Sequence, residues 1–365
     1  MMMRTQATWL GAVALACTAG CGEPGRASDP FASGPASVGS ISGPGTDGTV
    51  GTADGTAEGG QGTAEGGGLK LDVGADETEG AGAEGGSGEG CEKVDFLFVI
   101  DNSGSMGDNQ DSLIASFPGF IQSIQNTLTD AQDYHIMVVD TDAQWGGQCE
   151  LLCPLFFNVC PDNPAYPCGV VPEVCDSTLG AGVVHTMASD APSVPCSFSS
   201  GARYMDATEP DLVSAFQCSA KVGSDGDGSE RPMGAMVSAL SFEQAQPGAC
   251  NEGFVREDAI LVVTIITDEE DDNSNGSAAG WYANVIASKG GDANAIVMLG
   301  LINDNDAAVP VCPAESQDPV AVRTFVDMFP NSIRGSVCEN SYNGFFQQAV
   351  DLIDTTCDEF IPPAG

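Results

Sequence analysis

The sequence predicts an α/β fold in which a mostly parallel central sheet is covered by helices on both faces. Three observations predict it. Four apolar runs, at 94–100, 135–139, 259–266 and 295–302, are nearly unbroken. Strands buried on both faces read this way, whereas strands with one wet face alternate. Between the runs, apolar residues recur at helical spacing, and strands alternating with helices imply a parallel sheet. One cysteine-rich stretch, about 142–205, interrupts the alternation after the second strand and reads as an insert.

The first strand is Val94-Asp95-Phe96-Leu97-Phe98-Val99-Ile100, and it ends in Asp101-Asn102-Ser103-Gly104-Ser105-Met106. Leu113, Phe117, Ile121, Ile124 and Leu128 follow at spacings of three or four, so they share one helix face. Pro118 is expected to kink that helix or to start its second half. The second strand, from His135 to Val139, ends near Asp140, and the third, from Ala259 to Ile266, ends at Thr267-Asp268. The fourth runs from Ala295 to Ile302, and further helices are expected over 231–245, 277–288 and 342–355.

The chain has 365 residues and a formal net charge of −41. Three basic and twelve acidic residues precede Cys91, which leaves 8 basic and 40 acidic residues and a net charge of −32 beyond it. Such a surface repels nucleic acid and anionic lipid, keeps the protein soluble and suits cations. Residues 1–20 read as an export signal: Arg4 precedes the short apolar run from Trp9 to Ala16, and small residues follow it. Thr18-Ala19-Gly20-Cys21 resembles the lipobox of bacterial lipoproteins, which implies acylation at Cys21. Cys17 is the rival position. Acylation at Cys21 leaves 12 cysteines downstream, an even number that can pair completely. Residues 21–90 lack large side chains and repeat Gly-Thr-Ala-Glu-Gly-Gly at 55–60 and 62–67. Such a segment cannot offset its ordering entropy and is expected to be a flexible tether, spanning about 45 Å root-mean-square. Residues 91–362 form the folded domain.

Asp101-x-Ser103-x-Ser105 after one buried strand, with Asp268 after another, resembles the metal-ion-dependent adhesion site of von Willebrand factor type A domains. The resemblance implies a Rossmann-like domain that binds Mg²⁺, Ca²⁺ or Mn²⁺ through serine hydroxyls and aspartates. It also implies an open coordination position for a carboxylate of a protein partner. Hydroxyl and carboxylate oxygens are hard donors and select such ions. The family's third element is a Thr at the start of a middle helix. That region here reads Gly226-Asp227-Gly228-Ser229-Glu230-Arg231-Pro232-Met233-Gly234-Ala235, without Thr. Counting back from Gly234-Ala235 puts Glu230 on the expected position and Ser229 one residue before it. Glu230 is either a metal ligand or a cap on the helix start, where negative charge is stabilising.

Asp225-x-Asp227-x-Ser229 resembles the first half of a calcium loop, and Glu269-Glu270-Asp271-Asp272 reads as a solvated run or a cation-concentrating patch. Cys149, Cys153, Cys160, Cys168, Cys175 and Cys196 crowd the insert without paired CxxC spacings, and export favours disulfides over zinc. Plausible bridges elsewhere join Cys91 to Cys357, Cys312 to Cys338 and Cys218 to Cys250. The insert is either a recognition element or a stabilising cover.

The expected function is a non-enzymatic, cell-envelope binding or adhesion module, lipid-anchored to the outer membrane. The alternatives are a structural envelope lipoprotein with a degenerate metal site, and a hydrolase. Only His135 and His185 are available as imidazole bases, and no Gly-x-Ser-x-Gly, His-Glu-x-x-His or phosphate-loop motif is present. The anchoring expectation is tested by Cys21→Ala, which should move the protein from the membrane to the soluble fraction. Continued membrane fractionation of that variant would contradict it.

Overall fold

The computed structural model describes residues 91–127, 133–142, 173–186, 190–192, 194–224, 226, 229–314 and 316–363. Cys17, Cys21, the tether and the insert cysteines Cys149, Cys153, Cys160 and Cys168 lie outside the described residues. In chain order the elements are β1 (Lys93–Ile100), α1 (Gly107–Thr127), β2 (Asp133–Asp140), β3 (Met205–Asp206), α2 (Leu212–Ala220), α3 (Pro232–Ala239), α4 (Phe242–Ala245), β4 (Ile260–Thr267), α5 (Ala278–Ala287), β5 (Ile296–Ile302), α6 (Val320–Val326), β6 (Asn331–Ser336) and α7 (Asn343–Glu359). The strands form one six-stranded sheet in the order β3-β2-β1-β4-β5-β6. Every pairing is parallel except that of β3 with β2.

Alternate residues of β1 serve two separate cores, as the pleat requires. Phe96, Phe98 and Ile100 pack with Phe117, Phe120, Phe216 and Phe346 from α1, α2 and α7. Leu97 and Val99 pack with Met233, Met236, Trp281 and Phe325 from α3, α5 and α6. Both sets are buried, so β1 and β4 could not carry polar residues at alternate positions, and their apolar runs follow. On the first face Phe117 and Phe216 stack with ring centroids 3.5 Å apart, and Phe98 meets Phe216 edge-on at 4.9 Å. Aromatic pairs of this kind add about 0.5–1.5 kcal/mol beyond their buried area.

The four apolar runs are strands within a residue or two of their expected limits. Other elements differ. α1 continues through Pro118 as one helix, with Phe117, Phe120 and Ile121 buried around the proline. Burial of that face outweighs the hydrogen bond that proline removes, a loss of about 3 kcal/mol. The 231–245 pattern divides at Leu240-Ser241, where the Ser241 hydroxyl accepts from Gln244 N and starts α4. β6, with the polar sequence Asn331-Ser332-Ile333-Arg334-Gly335-Ser336, is a partly exposed edge strand and lacks the continuous apolar signal.

Cys91–Cys357 and Cys312–Cys338 are bridged as expected. The pairing of Cys218 with Cys250 is corrected: Cys218 joins Cys196, and Cys250 joins Cys175. The reason is the path of the insert, whose described part runs back along the sheet edge. Val183 N donates to Val138 O of β2. The buried Asn251 accepts from Gly182 N and donates to Gly180 O and Ala239 O. Asn251 thereby brings Cys250 beside the turn carrying Cys175, with 5.6 Å between the two Cα atoms. The two bridges staple the insert to the α/β scaffold at both ends of its described part.

The chain crosses from β1 to β2 on one side and reaches β4 and β5 on the other, so strand order reverses between β1 and β4. In open α/β sheets the crevice beyond the carboxyl ends of such a pair is where ligands bind.

Candidate functional site

Asp101 leaves β1 at that crevice and is wholly buried. Its backbone N–H donates to Ile266 O of β4 at 3.0 Å, which extends the sheet pairing by one residue. Its carboxylate is held on both oxygens. Oδ1 accepts from Ser103 N at 2.7 Å and Oδ2 from the Thr267 hydroxyl at 2.6 Å. Ser103 Oγ lies 3.3 Å from Ser105 Oγ, and Ser105 Oγ donates to Asp268 Oδ1 at 3.1 Å. Asp101, Ser103, Ser105 and Asp268 are therefore one hydrogen-bonded string, although Ser105 and Asp268 are 163 positions apart in sequence. The string runs from a buried floor to a wet rim: Asp101 and Ser103 are buried, Asp268 is half-buried and Ser105 is exposed.

Residues that the sequence did not single out hold this turn in place. Gln110, buried in the first turn of α1, donates to Asp101 O at 3.0 Å and to Gly223 O at 2.7 Å, and accepts from Gly223 N at 3.1 Å. It ties the loop before α3 to the Asp101 turn. Gly226 N donates to Asn102 O, and a Cβ at Gly226 would stand 2.4 Å from Asn102 Oδ1, so only glycine fits there. Thr141, just beyond β2, is buried; its hydroxyl reaches Glu230 Oε2 and, at 3.3 Å, Asn102 Oδ1. Thr141 and Thr267 share a signal that was available: each follows or ends a buried parallel strand at its carboxyl end. Gln110 carried no such signal, because an isolated polar residue on a helix looks like solvent-facing surface.

Glu230 is 1% exposed, and among the described residues its Oε1 has no hydrogen-bond partner. Ser229 is exposed, while Asp225 and Asp227 of the half calcium loop lie outside the described residues. The helix-cap alternative for Glu230 is corrected. The first N–H groups of α3 are taken by others: Met233 N donates to Asp271 Oδ2 at 2.8 Å and Gly234 N to Ser274 Oγ at 2.7 Å. Glu270 Oε2 accepts from Ala321 N at 2.8 Å in the first turn of α6. Two members of the acidic run 269–272 thus anchor helix starts, where negative charge is favoured. Asp271 is buried and Asp272 exposed, so the run is solvated only in part. Glu269 remains half-buried beside the string.

Burial, and after it neighbouring negative charge, raises these carboxylates. Burial pushes Asp101 up to about 6 against the hydrogen bonds from Thr267 and Ser103, and Asp268 adds to the rise. Burial and then the Asp101 charge push Glu230 up to about 9. Burial, Asp101 and Asp268 push Glu269 up to about 7, and burial raises Asp268. Four acids converge without a basic side chain among these causes.

All the donors are oxygen, a set suited to a hard divalent cation. Among the described residues no three His, Cys, Asp or Glu side chains form a ready-made cage. The set here mixes two serine hydroxyls with carboxylates. What fits an ion is the orphaned Glu230 Oε1 beside mutually repelling acids, since a cation would satisfy the one and relieve the other. The two histidines are engaged elsewhere. His135, near the start of β2, has Nδ1 2.9 Å from Phe254 O, and His185 Nδ1 lies 3.7 Å from the Asp176 carboxylate.

No protein-family model matches the chain, and no curated protein matches it.

The raised carboxylates set a pH dependence. Glu230 is raised from 4.5 to about 9, so the native state keeps a proton that the unfolded chain releases in that window. Native stability without metal should be highest at the acidic side of the window and fall as pH rises through it. In chelator, the melting temperature is expected to decline from about pH 5 to about pH 9, and Glu230→Gln should flatten the upper part of the decline. Identical profiles for the two proteins would contradict this placement of Glu230.

Proposed function

We propose that residues 91–362 form a von Willebrand factor type A domain, a non-enzymatic module that engages a protein partner through a bound divalent cation. The observation that carries this reading is the string from Asp101 through Ser103 and Ser105 to Asp268, set at the reversal point of the sheet. In this reading Ser103 and Ser105 offer hydroxyl oxygens to the ion. Asp101, whose two oxygens already accept hydrogen bonds, acts through water, and Asp268 supplies charge at the rim. The exposed Ser105 and half-buried Asp268 leave the outer side open to a carboxylate of the partner. The ion would supply Lewis acidity to bind that carboxylate on a surface that otherwise repels it. Acylation at Cys21 and the 21–90 tether would display the domain away from the outer membrane, with the lipid as the only membrane contact.

A hydrolase has less support, because His135 Nδ1 is engaged by Phe254 O and His185 Nδ1 lies beside the Asp176 carboxylate. A degenerate structural domain is separated from a working one by metal response. A ligand that binds only the native state stabilises it by RT ln(1 + [L]/Kd), about 2.7 kcal/mol at a hundredfold excess over Kd. The melting temperature should therefore rise with Mg²⁺, Mn²⁺ or Ca²⁺ and return with chelator. Asp101→Ala should remove the response while the stapled fold persists, since no core apolar side chain is lost. Equal metal-induced shifts in wild type and Asp101→Ala would place the ion elsewhere and overturn the assignment.

A further inference from the structure

Glu230 is a buried acid with no structural employment that accounts for its charge. Its Oε2 has the Thr141 hydroxyl, but at 1% exposure its Oε1 has no partner among the described residues. The task of capping α3 belongs to Asp271 and Ser274. The charges that act on it most strongly are Asp101, Asp142 and Glu269, all of its own sign. A neutral residue would fill the same place at lower cost, because a buried acid with an unsatisfied oxygen must either hold its proton or carry an uncompensated charge. The geometry points to Glu230 as a protein ligand of the proposed ion, through Oε1, and to Ca²⁺ as the ion it selects.

Resting on the cation-site reading above, the preference for Ca²⁺ follows from charge and number. Ca²⁺ accepts six to eight oxygens in flexible geometry, and its affinity rises with the count of ligand charges. Mg²⁺ demands a near-ideal octahedron and keeps much of its water, so it gains less from an added buried carboxylate. The oxygens this end of the sheet can offer are the two serine hydroxyls and Asp268 of the string, and Glu230 Oε1 and the half-buried Glu269 from the flanking loops. Asp101 adds charge from the floor. A larger coordination sphere takes this many donors and still has room for an oxygen from a partner. Thr141 turns Glu230 by holding Oε2, and Arg231 N donates to Thr141 O at 3.0 Å, so the backbone on both sides of the pair is fixed.

The test is calorimetric titration of the folded protein with CaCl₂ and with MgCl₂, for wild type, Glu230→Gln, Glu230→Thr and Asp101→Ala, with far-ultraviolet circular dichroism confirming the fold of each. Wild type should bind Ca²⁺ about tenfold or more tightly than Mg²⁺. Glu230→Gln, which keeps shape and removes charge, should weaken Ca²⁺ about tenfold or more and leave Mg²⁺ much less affected. Glu230→Thr should bring the two ions close to parity. Unchanged Ca²⁺ affinity in both Glu230 variants, with binding lost in Asp101→Ala, would overturn Glu230 as a ligand and leave the site itself standing. Wild type that binds Mg²⁺ as tightly as Ca²⁺ would overturn the selectivity. Absence of binding by either ion in wild type would overturn the cation-site reading and this inference together.

Discussion

The parallel pairing of β1 with β4 is the constraint on which the rest of the structure depends. Seven residue pairs, from Val94–Ile260 to Ile100–Ile266, lock the register. The hydrogen bond from Asp101 N to Ile266 O carries that register into the site. A slip of one residue would turn Phe96, Phe98 and Ile100 onto the wrong face. It would also separate Asp101 from the Thr267 hydroxyl and Ser105 from Asp268. The two cores, one on either face, therefore do more than stabilise the domain. They fix which residue of each strand is last, and so which side chains meet at the crevice.

A cost accompanies this arrangement. Asp101 raises the proton affinity of Glu230 and Glu269, Asp268 raises that of Asp101 and Glu269, and among the described residues one oxygen of Glu230 has no partner. Apolar or hydrogen-bonded neutral groups in these places would give a more stable domain. Such a cluster inside a well-packed scaffold fits a site that is completed by a positive ion. The surrounding clamps serve the same end: Gln110 and Gly226 hold loop and turn together, while Asp271 and Glu270 tie the acidic run to the starts of α3 and α6.

The parts of the fold legible in the sequence were those where burial leaves one residue type. β1, β2, β4 and β5 are covered on both sides, and their unbroken apolar runs announced them. The edge strands were not legible, because β6 is half wet and polar and β3 has only two residues. Pro118 lies inside one continuous helix, where the buried Phe117, Phe120 and Ile121 hold the turn despite the missing backbone donor. At the site, Asp101, Ser103, Ser105 and Asp268 could be named because each lies within five residues of a strand end that the sequence marked. The clamps could not. Gln110 acts through the fold of a loop more than a hundred residues away, and Asp271 caps a helix that precedes it in the chain. The bridges of Cys175 and Cys196 depend on the insert's return path, which spacing does not encode.

The central claim is that one cation joins the ends of β1 and β4. A crystal of the protein soaked in Mn²⁺, measured for anomalous scattering, tests it most directly, because manganese reports position and ligands together. The account predicts one strong anomalous peak in contact with Ser103, Ser105 and Glu230, with Asp101 and Asp268 around it. A crystal with that crevice free of anomalous density, or with the strong peak on another acidic part of the surface, would contradict it.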